Sequence, residues 1–264
     1  MITWQNSKKE TTELIMPDFI LREYDGFSEM PVKLMKQKAP YQDGVTVVDV
    51  ALEERQMSLN ILAAGRTKKD KQQKRRELVQ AFSPHLGEGE LIWEQEEDTY
   101  KIACYPDDTP TMPSNTGGVA HQEVIVNLEA PDPTWYSEPQ NEEILDTSET
   151  ERINLYNSGD VETPLYIEFQ GPVERPRIIN RSTGKRIIYK DALGENEELQ
   201  IYTRYNEKRV TLIEEDGQRY NAFINLEVGS ELFYLRPGNN QVDFRSYTGE
   251  PEIIFRHYSR YAGV

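Results

Sequence analysis

The chain has 264 residues, long enough for two domains of ordinary size or one large all-β domain. Acidic side chains outnumber basic ones by 46 to 30, a formal charge of −16, which argues against free nucleic acid or an anionic membrane surface as a partner of the chain as a whole. A single cysteine, Cys104, excludes an internal disulfide framework and a cysteine-rich zinc site. The 15 Tyr, 8 Phe and 3 Trp are too many for a disordered chain, so buried cores are expected. Residues 1–134 carry 15 basic and 23 acidic side chains, and residues 135–264 carry the same numbers, so the charge belongs to two folded halves rather than to a tail. The N-terminus has no apolar core of a secretory signal, and no apolar run approaches the roughly 20 residues of a membrane span. A soluble protein made in the cytoplasm is the expectation.

Most of the first half reads as short strands. Glu13–Met16, Phe19–Tyr24 and Val45–Val50 carry β-branched and aromatic residues between turn signals. From Arg55 to Leu62 the alternation is clearest, with Met57, Leu59 and Ile61 on one face and Gln56, Ser58 and Asn60 on the other. Thr67-Lys-Lys-Asp then opens like a capping box, and residues 68–82 hold good helix formers up to the stop at Ser83-Pro84. This is the one substantial helix the sequence predicts, and it carries the one basic cluster. A charge run of this kind, without interleaved aromatics, reads first as a solvated face or a contact for an acidic neighbour. Leu91–Glu94, a turn at Gln95–Asp98 and Thr99–Tyr105 read as a β-hairpin, with Cys104 as a buried structural thiol. The stretch Pro106–Gly118 exceeds the usual connection length, and Glu123–Glu129 is a further strand.

Ala130-Pro-Asp-Pro-Thr-Trp-Tyr136 bars both helix and central strand and is the expected boundary, between residues 1–133 and 134–264. Pro131, Asp132, Pro133, Trp135 and Tyr136 form the expected linker, its two aromatics packing against it. After a polar stretch over 138–151, nine short strands separated by turns spell an antiparallel β-sandwich. They run from Arg152–Tyr156 to Glu252–Arg256 and include Glu231–Leu235.

Chemistry is sparse. His85, His121 and His257 lie far apart in sequence, and His121 with Glu123 is weak evidence for metal. Gly117-Gly118 and Gly87-Glu-Gly89 lack the context and lysine of a phosphate loop, and no Gly-x-Ser-x-Gly elbow occurs. Clustered carboxylates such as Glu94–Asp98 do not by themselves place two acids across a cleft, as a glycosidase needs. No catalytic residue, metal or cofactor is assigned.

The order of segments resembles the distal tail protein (Dit) family of long, non-contractile-tailed phages. The first half contributes Leu21-Arg-Glu-Tyr-Asp-Gly-Phe27, Asp43-Gly44 and Arg55–Ile61 ahead of the basic helix. The junction adds Ala130–Tyr136. The second half adds Asn157-Ser-Gly, Gly171–Asn180, Thr183-Gly184, Gly194–Tyr202, Leu232–Asn240 and the terminal Tyr261-Ala-Gly-Val264. The resemblance implies a mainly β protein. Its N-terminal β-sandwich-type, tail-tube-like domain would have one helix and a hairpin, and its C-terminal domain would be a galectin-like or carbohydrate-module-like β-sandwich.

It further implies a non-enzymatic baseplate hub, a hexameric ring or two stacked rings around a channel. DNA would pass that channel without specific binding. Expected partners are the tail tube protein, a tail-associated lysin or tip protein, and receptor-binding proteins. For the ring contact, the hairpin residues Trp93, Glu94, Thr99, Tyr100 and Ile102 are expected to add an edge to a neighbouring sheet. Lys71, Lys74 and Arg75 of the helix are expected to dock a neighbour or the tube. The rival reading is a monomeric sugar-binding module of the host-recognition apparatus, with a cell-wall glycosidase third.

Overall fold

The computed structural model describes residues 1–114, 118 and 120–264. Part of the stretch 106–118, including Gly117, therefore lies outside the described residues. The chain forms two compact units, Met1–Glu138 with Tyr261–Val264, and Pro139–Arg260.

The first unit holds β1 (Ile2–Gln5), β2 (Thr11–Glu13), β3 (Phe19–Asp25), β4 (Val32–Gln37), β5 (Thr46–Leu52) and β6 (Arg55–Ala64). The helix α1 (Lys68–Ala81) follows, then β7 (Gly89–Gln95), β8 (Asp98–Pro106), β9 (His121–Ala130) and β10 (Trp135–Glu138). Its main sheet runs β2-β1-β7-β8-β9-β6-β3, and β10 pairs with β8. The alternation along β6 is borne out: Met57, Leu59, Ile61 and Ala63 are buried, and the strand pairs with β9 over ten residues. Helix α1 begins where the Thr67 side chain accepts from the Asp70 amide, and Leu78 and Phe82 anchor its C-terminal end in the core. There Trp4 stacks on Phe82 with ring centroids 5.0 Å apart and donates to the Ala81 carbonyl. β1 was not among the expected strands, since its four residues are too few to show a period.

Arg55 is the most constrained polar residue of this unit. It is 1% exposed, and its guanidinium donates to the carbonyls of Pro133 (2.6 Å), Gly26 (2.7 Å), Phe27 (2.9 Å) and Ala262. Burial lowers its pKa from the usual arginine value, and Glu29 offsets part of that. Gly26 has φ +79°, and a Cβ there would collide with the Gln56 carbonyl, so the turn that brings two of these carbonyls to Arg55 requires glycine.

The expected linker is part of this arrangement. Asp132 accepts from the Thr134 amide and hydroxyl and from the Tyr136 hydroxyl, while Trp135 is buried and donates to Phe27. Trp135 and Tyr136 open β10. The compact units thus divide after Glu138, not at Pro131–Pro133, because the two prolines break strand β9 without releasing the chain from the first unit's core.

The second unit begins with β11 (Asn141–Asp146), β12 (Arg152–Asn157), β13 (Tyr166–Gln170), β14 (Val173–Glu174), β15 (Arg177–Asn180), β16 (Arg186–Ile188) and β17 (Ala192–Leu193). It continues with β18 (Glu198–Tyr202), β19 (Arg209–Ile213), β20 (Arg219–Asn221), β21 (Gly238–Arg245) and β22 (Glu252–His257), and the last strand of the chain is β23 (Arg260–Tyr261). A six-stranded antiparallel sheet, β11-β22-β13-β18-β19-β20, and a four-stranded sheet, β12-β21-β15-β16, enclose one core. Period two sets the inward faces: Ile167 and Phe169 of β13, Leu199 and Ile201 of β18, Val242 and Phe244 of β21, Ile253 and Phe255 of β22. Two expectations are corrected here. Residues 231–235 are irregular apart from a bridge at Leu235, although Phe233 and Leu235 are fully buried, and the polar stretch 141–146 is a strand with only Leu145 buried. An edge strand needs few apolar residues, so composition hides it.

The buried charge of this unit is Asp243, 2% exposed at its side chain. It accepts two bonds from Arg152 and a third from Arg181 at 2.7 Å. Hydrogen bonding to Arg152, then to Arg181, outweighs burial and holds its pKa at about 2.

Replacing Arg55 by leucine leaves buried carbonyls without donors, at about 1–3 kcal/mol each. Urea unfolding of the first unit should show a loss of at least about 3 kcal/mol. Arg55→Lys should not rescue it, since an ammonium cannot reproduce the guanidinium fork. In the second unit, Asp243 has a depressed pKa, so its contribution is present above the unfolded carboxylate value and is lost as pH falls toward 2. Unfolding of the wild type between pH 5 and 2 should lose about 2 kcal/mol that Asp243→Asn does not lose over the same window.

Candidate functional site

β4 and β5 form a sheet of their own. Every residue of β4 is exposed, and in β5 only Ala51 is half-buried. Their register pairs Val32 with Leu52 and Leu34 with Val50 on one face, and Lys33 with Ala51 and Met35 with Asp49 on the other. One face of this arm is therefore apolar and the other mixed, with Lys33 bonded to Glu53 at 2.9 Å. Val32, Leu34, Val50 and Leu52 are 45–54% exposed, whereas Leu59 and Ile61 of the adjoining strand are at 0%. An amphipathic hairpin that leaves its apolar face in water is an interaction surface rather than a piece of core. The signal was present in the sequence, since Val45–Val50 reads as a strand, but an apolar run does not say whether its own chain covers it.

The hairpin expected at the ring contact is β7–β8. Its backbone is paired on both sides: β7 lies between β1 and β8, and β8 lies between β7 and the strands β9 and β10. Among the described residues, neither strand of the hairpin lies at the edge of its sheet. Ile102 is buried in the core, Trp93 packs on Phe27 (5.2 Å) and Trp135 (6.2 Å), and Tyr100 packs on Tyr261 (5.2 Å). Thr99 is half-buried in the ladder. Of the five residues only Glu94 is exposed, beside Glu96, Glu97 and Asp98 at the hairpin tip.

The three helix residues expected to dock a partner are engaged within the first unit. Lys71 donates to the Gly118 carbonyl, Lys74 bridges Asp18 (2.9 Å) and Glu77 (3.2 Å) over the Phe19 ring, and Arg75 reaches the Met112 sulfur. Contact with Asp18 raises the Lys74 pKa despite some burial. Arg66, ahead of the helix, and Lys68, Lys69 and Arg76 on it are exposed.

Groups that could support chemistry are turned inward or scattered. Cys104 is fully buried, and burial pushes its thiol pKa up, the opposite of a nucleophile. His257 is buried against the Tyr156 carbonyl and 3.6 Å from Glu143, and burial lowers its pKa. Among the described residues no three His, Cys, Asp or Glu side chains gather as a metal would require, and no helix is long and apolar enough to cross a membrane. The second unit has an open cleft of about 490 Å³ at Glu168, Gln170, Glu250 and Glu252, and one of about 300 Å³ at Lys185, Lys208, Arg236 and Tyr205.

Two family models match the chain in succession. The phage tail protein RIFT-related domain covers residues 14–129, and the C-terminal domain of the siphovirus-type tail component covers residues 158–259. The chain belongs to the siphovirus distal tail protein family. It is thus a structural component of the distal tail, at the baseplate end of the virion, and not an enzyme. The fold agrees. The crystal structure of SPP1 Dit, described as a paradigm of the hub adsorption apparatus in phages infecting Gram-positive bacteria, superposes with a TM-score of 0.74 at 16% identity. That match covers 97% of this chain and 98% of that one. Chains of the phage P2 baseplate in its activated conformation, with calcium and with strontium, match at a TM-score of 0.56 and 8% identity, covering all of both chains. No curated protein sequence matches the chain.

The contacts of Lys74 separate it from the exposed cations of this distal tail protein. Lys74→Glu places a third carboxylate beside Asp18 and Glu77 and should destabilise the first unit by about 1 kcal/mol or more. Lys69→Glu should leave the thermal unfolding midpoint within a degree of wild type.

Proposed function

We propose that this distal tail protein is the hub of the baseplate: a hexameric ring whose wall is built by the first unit, with a central channel that DNA crosses. In this reading the ring joins the tail tube on one side and the tail-tip or tail-associated lysin on the other, and the second unit anchors host-adsorption proteins. The observation that carries the proposal is the β4–β5 arm. A monomer has no reason to extend an apolar hairpin face into water, and a ring whose subunits meet head to tail gives each arm a neighbour to cover it. Covering four half-exposed side chains contributes about 1 kcal/mol each, multiplied around a closed ring. The arm also weighs against the monomeric sugar-binding module.

The acid excess fits a channel wall. Phosphates gain affinity by releasing counterions to protein cations, and a chain of net charge −16 offers few cations for that exchange. A duplex is then repelled rather than held during passage.

The wild type should run as a hexamer in size-exclusion light scattering and show six-fold rings with a central hole by negative-stain microscopy. Leu34→Asp with Val50→Asp should yield a monomer with the unfolding midpoint that the wild type shows when diluted below assembly. A monomeric wild type, or a ring that survives both substitutions, contradicts the proposal.

A further inference from the structure

A closed ring of identical subunits requires two different, complementary patches on each copy. The first unit carries such a pair at opposite ends of its strand path. One is the exposed side of α1 and its approach, with Arg66, Lys68, Lys69 and Arg76. The other is the β7–β8 tip, with Glu94, Glu96, Glu97 and Asp98, all exposed. Among the described residues, no salt bridge within the chain engages any of the eight.

Register places them apart. The C-terminal end of α1 sits over Trp4, whose ring is what a Cβ on Gly89 would meet, and Gly89 pairs with Cys104. From Cys104 back to Asp98 at the tip is six residues of β8, about 20 Å. The N-terminal end of α1 lies still farther from the tip. It follows β6, whose last residue Ala64 pairs with His121, seven or more residues beyond the level where β9 meets β8 at Leu128 and Glu129. The first unit is therefore charged oppositely at its two ends, in a half-chain whose overall charge is negative.

We infer that in the ring the basic side of α1 on one copy faces the acidic β7–β8 tip of the next. The inference rests on the ring reading above and adds the second contact to that made by the arm. A copy of the same chain fits this role because both halves of the contact are present on it. The apolar arm supplies cohesion, while the charges set the direction of approach and reject the head-to-head encounter, which would bring like charges together.

Charge reversal tests this with two double variants, K69E/R76E and E96K/E97K, studied by mass photometry at 0.1 M salt over a concentration series. Each variant alone should need at least ten times the wild-type concentration to assemble, with the wild-type thermal midpoint when both are measured at a dilution at which neither assembles. In the first variant the helix side is neutralised against a tip that stays negative, and in the second the tip is neutralised against a helix side that stays positive. A one-to-one mixture should therefore assemble at a lower concentration than either variant alone, in rings of alternating copies that restore the full attraction at every second contact, which an even-numbered ring permits. Assembly of either variant alone as readily as wild type, or a mixture that assembles no more readily than either variant, overturns the inference while leaving the ring reading intact. A monomeric wild type overturns the ring reading and this contact with it. If a variant shows a lowered midpoint, K68E/K69E and E94K/E96K repeat the test with the same two outcomes.

Discussion

The first unit is organised around one buried guanidinium. Arg55 begins one of the two longest strands of that unit, and its donors satisfy carbonyls from the turn after β3, from the segment between β9 and β10, and from the last residues of the chain. These three segments are irregular, so their carbonyls have no ladder partner, and burial would otherwise cost each its hydration. Among the described residues, no carboxylate bonds to this guanidinium. The fork shape of arginine is what allows one side chain to serve several acceptors at different angles.

Asp243 is the inverse case in the second unit. A buried anion gathers Arg152 and Arg181 from β12 and the turn after β15, so charge there is satisfied by charge rather than by backbone. Both of these buried charges are paired within the chain. The surfaces available for assembly are the groups that folding leaves over, namely the apolar face of the β4–β5 arm and the oppositely charged ends of the first unit. A virion component is shaped by what its own fold declines to bury.

Several features were legible in the amino-acid order because they are local. The alternation from Arg55 to Leu62 shows a half-buried strand, since side chains on a strand repeat every two residues. Thr67, Asp70 and Ser83-Pro84 mark a helix, since capping and proline act within a turn. The hairpin strands β7 and β8 were read correctly, but their place in the sheet was not legible. Trp93, Tyr100 and Ile102 look the same in sequence whether the hairpin is an edge or a centre. What decides is whether β1, from residues 2–5, and β10, from residues 135–138, come to lie beside it. The intrachain contacts of Lys71, Lys74 and Arg75 were hidden for a related reason: Asp18, Gly118 and Met112, which hold them, are distant in sequence.

The sequence by itself determined a mainly β chain of two evenly acidic halves, one helix, no catalytic or metal-binding signature, and membership of the distal tail family through segments in a recognisable order. Those follow from composition, short-range periodicity and order, which do not require knowing who touches whom. Only the tertiary structure decided that Pro131–Tyr136 belongs to the first unit, that the β7–β8 hairpin is interior, and that the exposed apolar face is on Val32, Leu34, Val50 and Leu52. Each is a statement about burial and pairing between residues far apart in the chain. Burial is a property of the folded surroundings, and no side chain carries it alone.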